Sequence, residues 1–189
     1  MPSLMKPALA CALLLASAAG AGAADVWTVD PADRSLAWTV SFSEKPLEGR
    51  FGAFEAEIAF DPADLAGSRV TVTVQIASIE ADTPEKTEEL VKPEWFDAAA
   101  FPTATFAAET FRALGGDAYE ADGTLTIRDR SRPVTLPFTF AIDGDSARIA
   151  GGLSVNRIDY DVGQGDWAID DIVGFDVAIA FTLAATRGN

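Results

Sequence analysis

From Phe175 to Leu183 the chain places Phe175, Val177, Ile179, Phe181 and Leu183 at every second position, with small or polar residues between them. Successive side chains of an extended strand point to opposite faces, so a run of this kind describes a strand with one face in a core and the other in water. The pattern recurs in Leu36, Trp38, Val40 and Phe42, in Phe54, Ala56, Ile58 and Phe60, and in Val70, Val72, Val74 and Ile76. Further strands are expected over residues 103–111, 119–127, 134–142 and 149–155, with 26–29 as an edge piece. That makes about eight or nine strands and an all-β chain. Phe51 and Phe54 fall out of phase across Gly52, which predicts a bulge or bend there, a device that curves a sheet toward closure.

One helical signal interrupts this pattern. Asp82 is placed to cap, Pro84 suits a first turn, Glu85 stands at capping-box distance, and Leu90 and Val91 give a short helix an apolar side. A second short turn is expected around Trp95 and Phe96, so residues 80–102 form one long crossover able to cover an end of the sheet. The other connections, such as "DPAD", "LGGD" and "DGDS", are brief and turn-like, which favours an up-and-down antiparallel order. Two architectures fit: a closed barrel, which removes the vulnerable edges, and a two-sheet sandwich.

The N-terminus reads as an export signal. Lys6 opens it, an apolar stretch from Ala8 to Ala19 follows, and Ala21, Gly22, Ala23 and Ala24 supply a small-residue cleavage site. Residues 1–24 are therefore expected to be removed, leaving 25–189 as one exported domain. The only cysteine, Cys11, lies within the leader, so no disulfide is expected to staple that domain. Basic residues number 14 against 29 acidic ones, a net charge of −15, and losing Lys6 makes the domain more negative still. A surface this acidic repels nucleic acid.

The chain contains no histidine. Together with the cysteine count, this removes histidine triads, thiol nucleophiles, covalent c-type haem and histidine or cysteine zinc sites from the domain. Carboxylate pairs at Asp170 and Asp171, or Asp159 and Asp161, are the remaining route to a hydrolase. "DGDS" at 143–146 resembles half of a calcium loop and reads more simply as a hairpin turn. Gly163 and Gly165 lack the strand and helix context of a nucleotide loop. Taken from its residues, the chain describes a container before it describes an enzyme.

The runs "WTVDPADRSLAW", "EGRFGAFEAEIAFDP", "SRVTVTVQIASIEADT", "WFDAAAFPTATF", "YEADGTLTIRDRSRPVTLPFTF" and "VNRIDYDVGQGDW" resemble, in order and spacing, the signatures of the YceI-like family. The resemblance implies an extended, eight-stranded, lipocalin-like antiparallel barrel secreted to the periplasm. Its tunnel would bind a polyisoprenoid, an isoprenoid quinone or a polyprenyl phosphate, with no covalent cofactor. "GQGDW" is similar to a branch associated with membrane cytochromes of the b561 type, which implies such a cytochrome as a partner. This chain departs from the family at Phe42 and Glu89, where many members carry histidine, and at Lys86 and Thr87, where an arginine–aspartate pair is usual. Asp129 and Asp161 stand in place of glycines.

For such a tunnel the expected wall is Trp38, Val40, Phe42, Phe54, Ile58, Val72, Val74, Ile76, Phe106, Leu125, Ile127, Phe138, Phe140, Leu153 and Phe181. An eight-stranded barrel is just wide enough either to pack solid or to hold one slim ligand. Trp38, Phe138 and Phe140 favour filling, whereas Ala56, Ala107, Ala121, Gly123 and Gly151 leave room if they face inward. The expected mouth is Arg50, Arg157, Asp159, Tyr160 and Trp167, where an arginine suits a phosphate and a tyrosine or indole donates to a quinone carbonyl. Trp95, Phe96 and Trp167 are expected to form an aromatic lip for transient membrane contact or ligand entry. The competing readings are a solid barrel acting as an interaction module, a homodimer among its assemblies, and a carboxylate-dependent hydrolase.

Overall fold

The computed structural model describes residues 24–188. The expected leader, with Lys6 and Cys11, lies outside the described residues apart from Ala24. The strands are β1 (Val26–Phe42), β2 (Lys45–Phe51), β3 (Phe54–Ala59), β4 (Arg69–Gln75), β5 (Ile79–Glu80), β6 (Thr103–Gly115), β7 (Ala118–Ile127), β8 (Arg130–Asp143), β9 (Ser146–Asn156) and β10 (Val173–Arg187), with one α-helix, α1 (Pro84–Leu90). Every pairing is antiparallel, and β10 pairs with β1 from Trp27↔Arg187 to Phe42↔Val173, which closes the sheet on itself. The result is an eight-stranded barrel and not a sandwich.

Ten segments make eight strands because two strands are broken. β2 and β3 flank Gly52 and Ala53, and a single 3₁₀ turn, Ile76–Ser78, separates β4 from β5. The breaks face each other: Gly52 N–H donates to the Ser78 carbonyl at 2.9 Å and Ala53 N–H to Ser78 Oγ at 3.0 Å. The chain therefore bends at Gly52, as its phase slip predicted. After the bend β3 meets the start of β1 (Trp27↔Ile58), while β2 meets its end (Trp38↔Gly49).

Two sequence expectations need correction, and one strand went unread. Residues 26–29 are no edge piece but the first part of a 17-residue strand, paired on both sides. A register shift between Val29 and Arg34 absorbs the first "DPAD". Lys45–Phe51 is a strand although its alternation is hidden, because the inward position between Leu47 and Phe51 is Gly49. The helix cap is Thr83, whose side chain accepts from Lys86 N–H at 3.4 Å, whereas Asp82 takes the Lys86 ammonium at 2.8 Å. An adjacent hydroxyl thus fills the cap and leaves the carboxylate free for an i,i+4 ion pair.

The core divides along the barrel axis. At one end Phe60 is wholly buried among Phe111, Tyr119, Phe138 and Phe140, with ring centroids 4.6–5.6 Å away. Trp27 packs edge-on against Phe140 at 5.2 Å, and its indole N–H donates to the Phe60 carbonyl at 2.9 Å. The opposite end gathers Trp38, Val40, Ile76, Trp95, Ile127, Val155, Tyr160 and Val173. There α1, the turn at 91–96 and the segment 157–172 cross the barrel end.

Candidate functional site

Strand parity brings one apolar face of every strand inward, and the inner faces do not fill the space they enclose. A cavity of about 230 Å³ lies between the two clusters. Trp38, Val40, Phe54, Ile58, Val72, Val74, Ile76, Phe106, Leu125, Ile127, Phe138, Phe140, Leu153 and Phe181 stand on its wall. Phe42 does not: at the last position of β1 its half-buried ring lies beneath the Lys86 ammonium, 4.8 Å from Nζ.

The inward glycines do not create the void. A β-carbon at Gly49 would stand 2.1 Å from Trp38 Cζ2, one at Gly123 2.7 Å from Phe106 Cε2, and one at Gly151 2.9 Å from Phe138 Cβ. These glycines seat aromatic side chains of the neighbouring strand. Ala56 and Ala121 do face the cavity, whereas Ala107 lies outside on a groove with Arg69 and Thr124. The interior is therefore not solid.

Several wall residues escaped the sequence reading. Leu36, Val70, Leu136, Ile149, Val177, Ile179 and Leu183 continue the same alternations and were legible from parity. Phe111 is inward because the register shifts between Ala108 and Thr110, which single-sequence periodicity does not reveal. Leu90, Trp95, Phe96 and Val162 come from the segments across the barrel end. The apolar side of α1 signalled Leu90, and nothing signalled Val162.

The expected mouth residues separate. Arg50 is exposed on the outer wall and pairs with Glu80 at 2.7 Å, because Gly49, one residue earlier, takes the inward position. Asp159 is exposed on the 3₁₀ turn Arg157–Tyr160, whose other side buries Arg157 and Tyr160 on the cavity. Trp167 is half-buried, its ring tilted at 48° to that of Trp95 with centroids 5.3 Å apart, and does not reach the wall. Trp95 itself is buried at 5% exposure, so it cannot belong to an external lip.

Among the described residues Arg157, 3% exposed, is the only charged group on the wall. Its Nε donates to the Gly174 carbonyl at 3.0 Å, Nη1 to Val162 at 2.9 Å and Gly163 at 3.2 Å, and Nη2 to Trp167, Ile169 and Val173 at 2.7–3.1 Å. The guanidinium lies over Trp95 and Phe175 at 5.6 and 5.4 Å. Carbonyl dipoles thus compensate a buried charge and use up its donors. Desolvation lowers the Arg157 pKa from its ordinary value, opposed by the charge of Asp170. The residue ties the 157–173 segment together instead of presenting a phosphate site. Arg128 anchors the neighbouring turn, donating to the carbonyls of Pro93, at 2.8 Å, and Trp95.

Burial raises the Tyr160 pKa, with Asp159 adding to the effect and Arg132 opposing it. Asp161 adopts the left-handed conformation, φ 55°, that closes the 3₁₀ turn, and it pairs with Arg130 at 2.6 Å. Among the described residues no group of histidine, cysteine and carboxylate side chains is placed to hold a metal ion, and no helix is long and apolar enough to cross a membrane.

This architecture has relatives. The sequence profile of the YceI-like domain matches residues 27–185, nearly the whole of the barrel from β1 to β10. The chain belongs to the YceI family. UPF0312 proteins of Vibrio cholerae are 30% identical to this YceI-family chain over 94 residues, which is 50% of the chain and 50% of theirs. The chain thus spans about half the length of those curated relatives. The UPF0312 protein of Azotobacter vinelandii is 25% identical over 140 residues, 69% of this chain and 73% of that one. Among solved structures, BcnA of Burkholderia cenocepacia superposes with a TM-score of 0.81 and 33% identity, covering 84% of this chain and 100% of BcnA. A polyisoprenoid binding domain from Saccharophagus degradans gives 0.67 at 15% identity, covering 86% and 98%, which shows a shared fold.

Proposed function

We propose that this YceI-family protein is exported to the periplasm and holds a polyisoprenoid lipid by its tail in the axial cavity, sequestering or carrying it without chemical change. The observation that carries this reading is an apolar space inside an antiparallel barrel that the pairing of β1 with β10 closes. Burying one five-carbon isoprene unit is worth roughly 4 kcal/mol at about 0.8 kcal/mol per carbon, before the larger part is lost to ordering and association. An apolar wall needs no reactive group to deliver that stabilisation. The Saccharophagus degradans domain with the same fold is described as polyisoprenoid binding, which supports the same ligand class here.

The cavity is slim. At about 230 Å³ it falls just short of the roughly 300 Å³ at which pockets for drug-sized ligands begin. The tail therefore lies extended along the axis, and a long one turns the rings around Phe60 aside. Binding is preferred to hydrolysis because the carboxylates weighed for catalysis, Asp159, Asp161, Asp170 and Asp171, all lie off the cavity wall, three of them exposed and Asp161 half-buried in an ion pair with Arg130.

Organic extraction of the protein purified from its own envelope, followed by mass spectrometry, tests the reading. A stoichiometric long-chain isoprenoid is expected. Extracts without lipid, from a protein that also refuses added prenyl lipids, would instead favour the interaction module. N-terminal sequencing of the exported form is expected to begin at Ala24 or Asp25.

A further inference from the structure

β1 changes partner part-way along the barrel. It pairs with β3 at Val26↔Ala59 and Trp27↔Ile58, and with β2 from Ala37↔Arg50 to Phe42↔Lys45. Among the described residues no ladder joins 28–36 to 51–57, a split of roughly 20 Å at about 3.3 Å per residue. Two causes coincide there. The bend turns the Gly52 and Ala53 amides to Ser78, away from β1, and β1 itself buckles between Val29 and Arg34, where its register against β10 shifts. A side chain spans the split instead. Arg34, half-buried, donates from Nη1 to the Phe54 carbonyl, and its guanidinium covers the Phe54 ring with Cζ 4.6 Å from the centroid. Leu36 on one flank and Phe54 and Ala56 on the other stand on the cavity wall.

We propose that this split is a side portal into the cavity and that Arg34 is the latch that holds it shut. The inference rests on the lipid-binding reading above and adds the route by which the tail passes. Local openings arise where backbone hydrogen bonds are few, and here one side chain stands in for a ladder. Both ends of the barrel are more firmly held, one by the rings packed around Phe60 and the other by the carbonyl bonds of Arg157. A guanidinium that swings outward uncovers Phe54 and admits an apolar chain sideways between Leu36 and Ala56. Water takes up the freed donors, so opening costs little more than the one charge-assisted bond and the ring contact. Arg34 lies off the wall and touches no seated tail, so it governs how fast the tail exchanges and not how tightly it is held.

The test follows geranylgeranyl anthranilate, a fluorescent prenyl ester, as it passes between the intact mature protein and phosphatidylcholine vesicles. Arg34→Met keeps an apolar stem and removes the donors; it is expected to speed uptake and release alike by roughly tenfold, with the dissociation constant nearly unchanged. Arg34→Lys restores part of the latch and should fall between the two. Because the only cysteine, Cys11, lies in the expected leader, a second arm places Ser35→Cys and Glu55→Cys on the exposed flanks of the split, with Arg34 intact. Joining them with a cleavable bis-maleimide should slow exchange at least tenfold, and cleaving the linker should restore it. Ala37→Cys with Ala180→Cys, joined in the same way across the closed β1–β10 ladder, should leave exchange as it was. Unchanged rates in both arms, equal slowing by the two linked pairs, or a change in affinity without a matching rise in uptake and release would overturn the portal and leave lipid binding standing. Refusal of the probe by the unaltered protein would remove both readings.

Discussion

A β-carbon added at Gly163 would lie 2.1 Å from Arg157 Nη1, the same nitrogen that donates to the Gly163 carbonyl at 3.2 Å. The close approach also requires φ of +82°, and Gly163 N–H donates to the Glu94 carbonyl at 2.9 Å. Glycine is thus the residue that lets the arginine reach its carbonyls while the segment docks on the 91–96 turn.

Gly163→Ala is expected to destabilise the protein by about 2–3 kcal/mol, through backbone strain and displacement of the guanidinium. Arg157→Lys should cost a similar amount, since an ammonium cannot reproduce the fork that serves carbonyls from Val162 to Gly174. Urea titration of both variants checks this. Unchanged midpoints would mean that the segment is held by its apolar contacts alone.

The rings seated on glycines make a second expectation. Phe138→Ala opens the cavity toward Phe60 and is expected to cost about 3 kcal/mol of stability. It should shift binding toward longer prenyl tails, read as the ratio of dissociation constants for long- and short-tailed probes. Gly151→Ala acts in the opposite sense, because its β-carbon would press on Phe138 Cβ at 2.9 Å and on the Pro137 carbonyl at 2.5 Å. Equal tail-length preference in the two variants would count against the ring cluster as the stop at this end.

How much of this was readable beforehand follows from what each residue answers to. Trp38, Val72, Val74 and Phe181 were placed inward correctly because strand parity is a local rule. The bend at Gly52 was also local, a slip of phase between Phe51 and Phe54. Arg157 was misread as a mouth residue because its fate depends on carbonyls up to Gly174, brought together only when β9 and β10 pair. Gly123 and Gly151 were read as space because a sequence does not say which ring leans across from the next strand. Phe42 follows the alternation of β1 and still misses the cavity, since the strand ends there under α1.

Titration gives a third expectation. The chain has no histidine, so stability and binding of an uncharged prenyl ligand should both be flat from about pH 6 to 8.5. Burial raises the pKa values of Tyr119 and Tyr160, the latter helped by Asp159 and opposed by Arg132. Folding then favours the neutral phenol. Its contribution is complete below the unfolded value of about 10 and declines as the pH rises through the higher folded values, where the unfolded chain has already lost its protons. Thermal melts between pH 8 and 11 are expected to show this loss, and Tyr119→Phe with Tyr160→Phe should flatten it.

Membrane contact makes the last expectation. Trp95 is interior, and the large apolar side chains that do face water near this end are Ile169 and Ile172, 55% and 48% exposed on the segment that Arg157 organises. Replacing both with serine is expected to slow extraction of a fluorescent prenyl lipid from zwitterionic liposomes severalfold, with little change in melting temperature. Unaltered transfer would place the contact elsewhere on the surface.

The packing of Phe60 among Phe111, Tyr119, Phe138 and Phe140 has a kinetic meaning beyond stability. If those rings stay packed while a short tail exchanges, the container has a single doorway, and a newcomer cannot push its predecessor out from behind. Exchange must then proceed by departure first and arrival second, and the residence time of the cargo becomes a property of the doorway alone, indifferent to how much replacement waits outside.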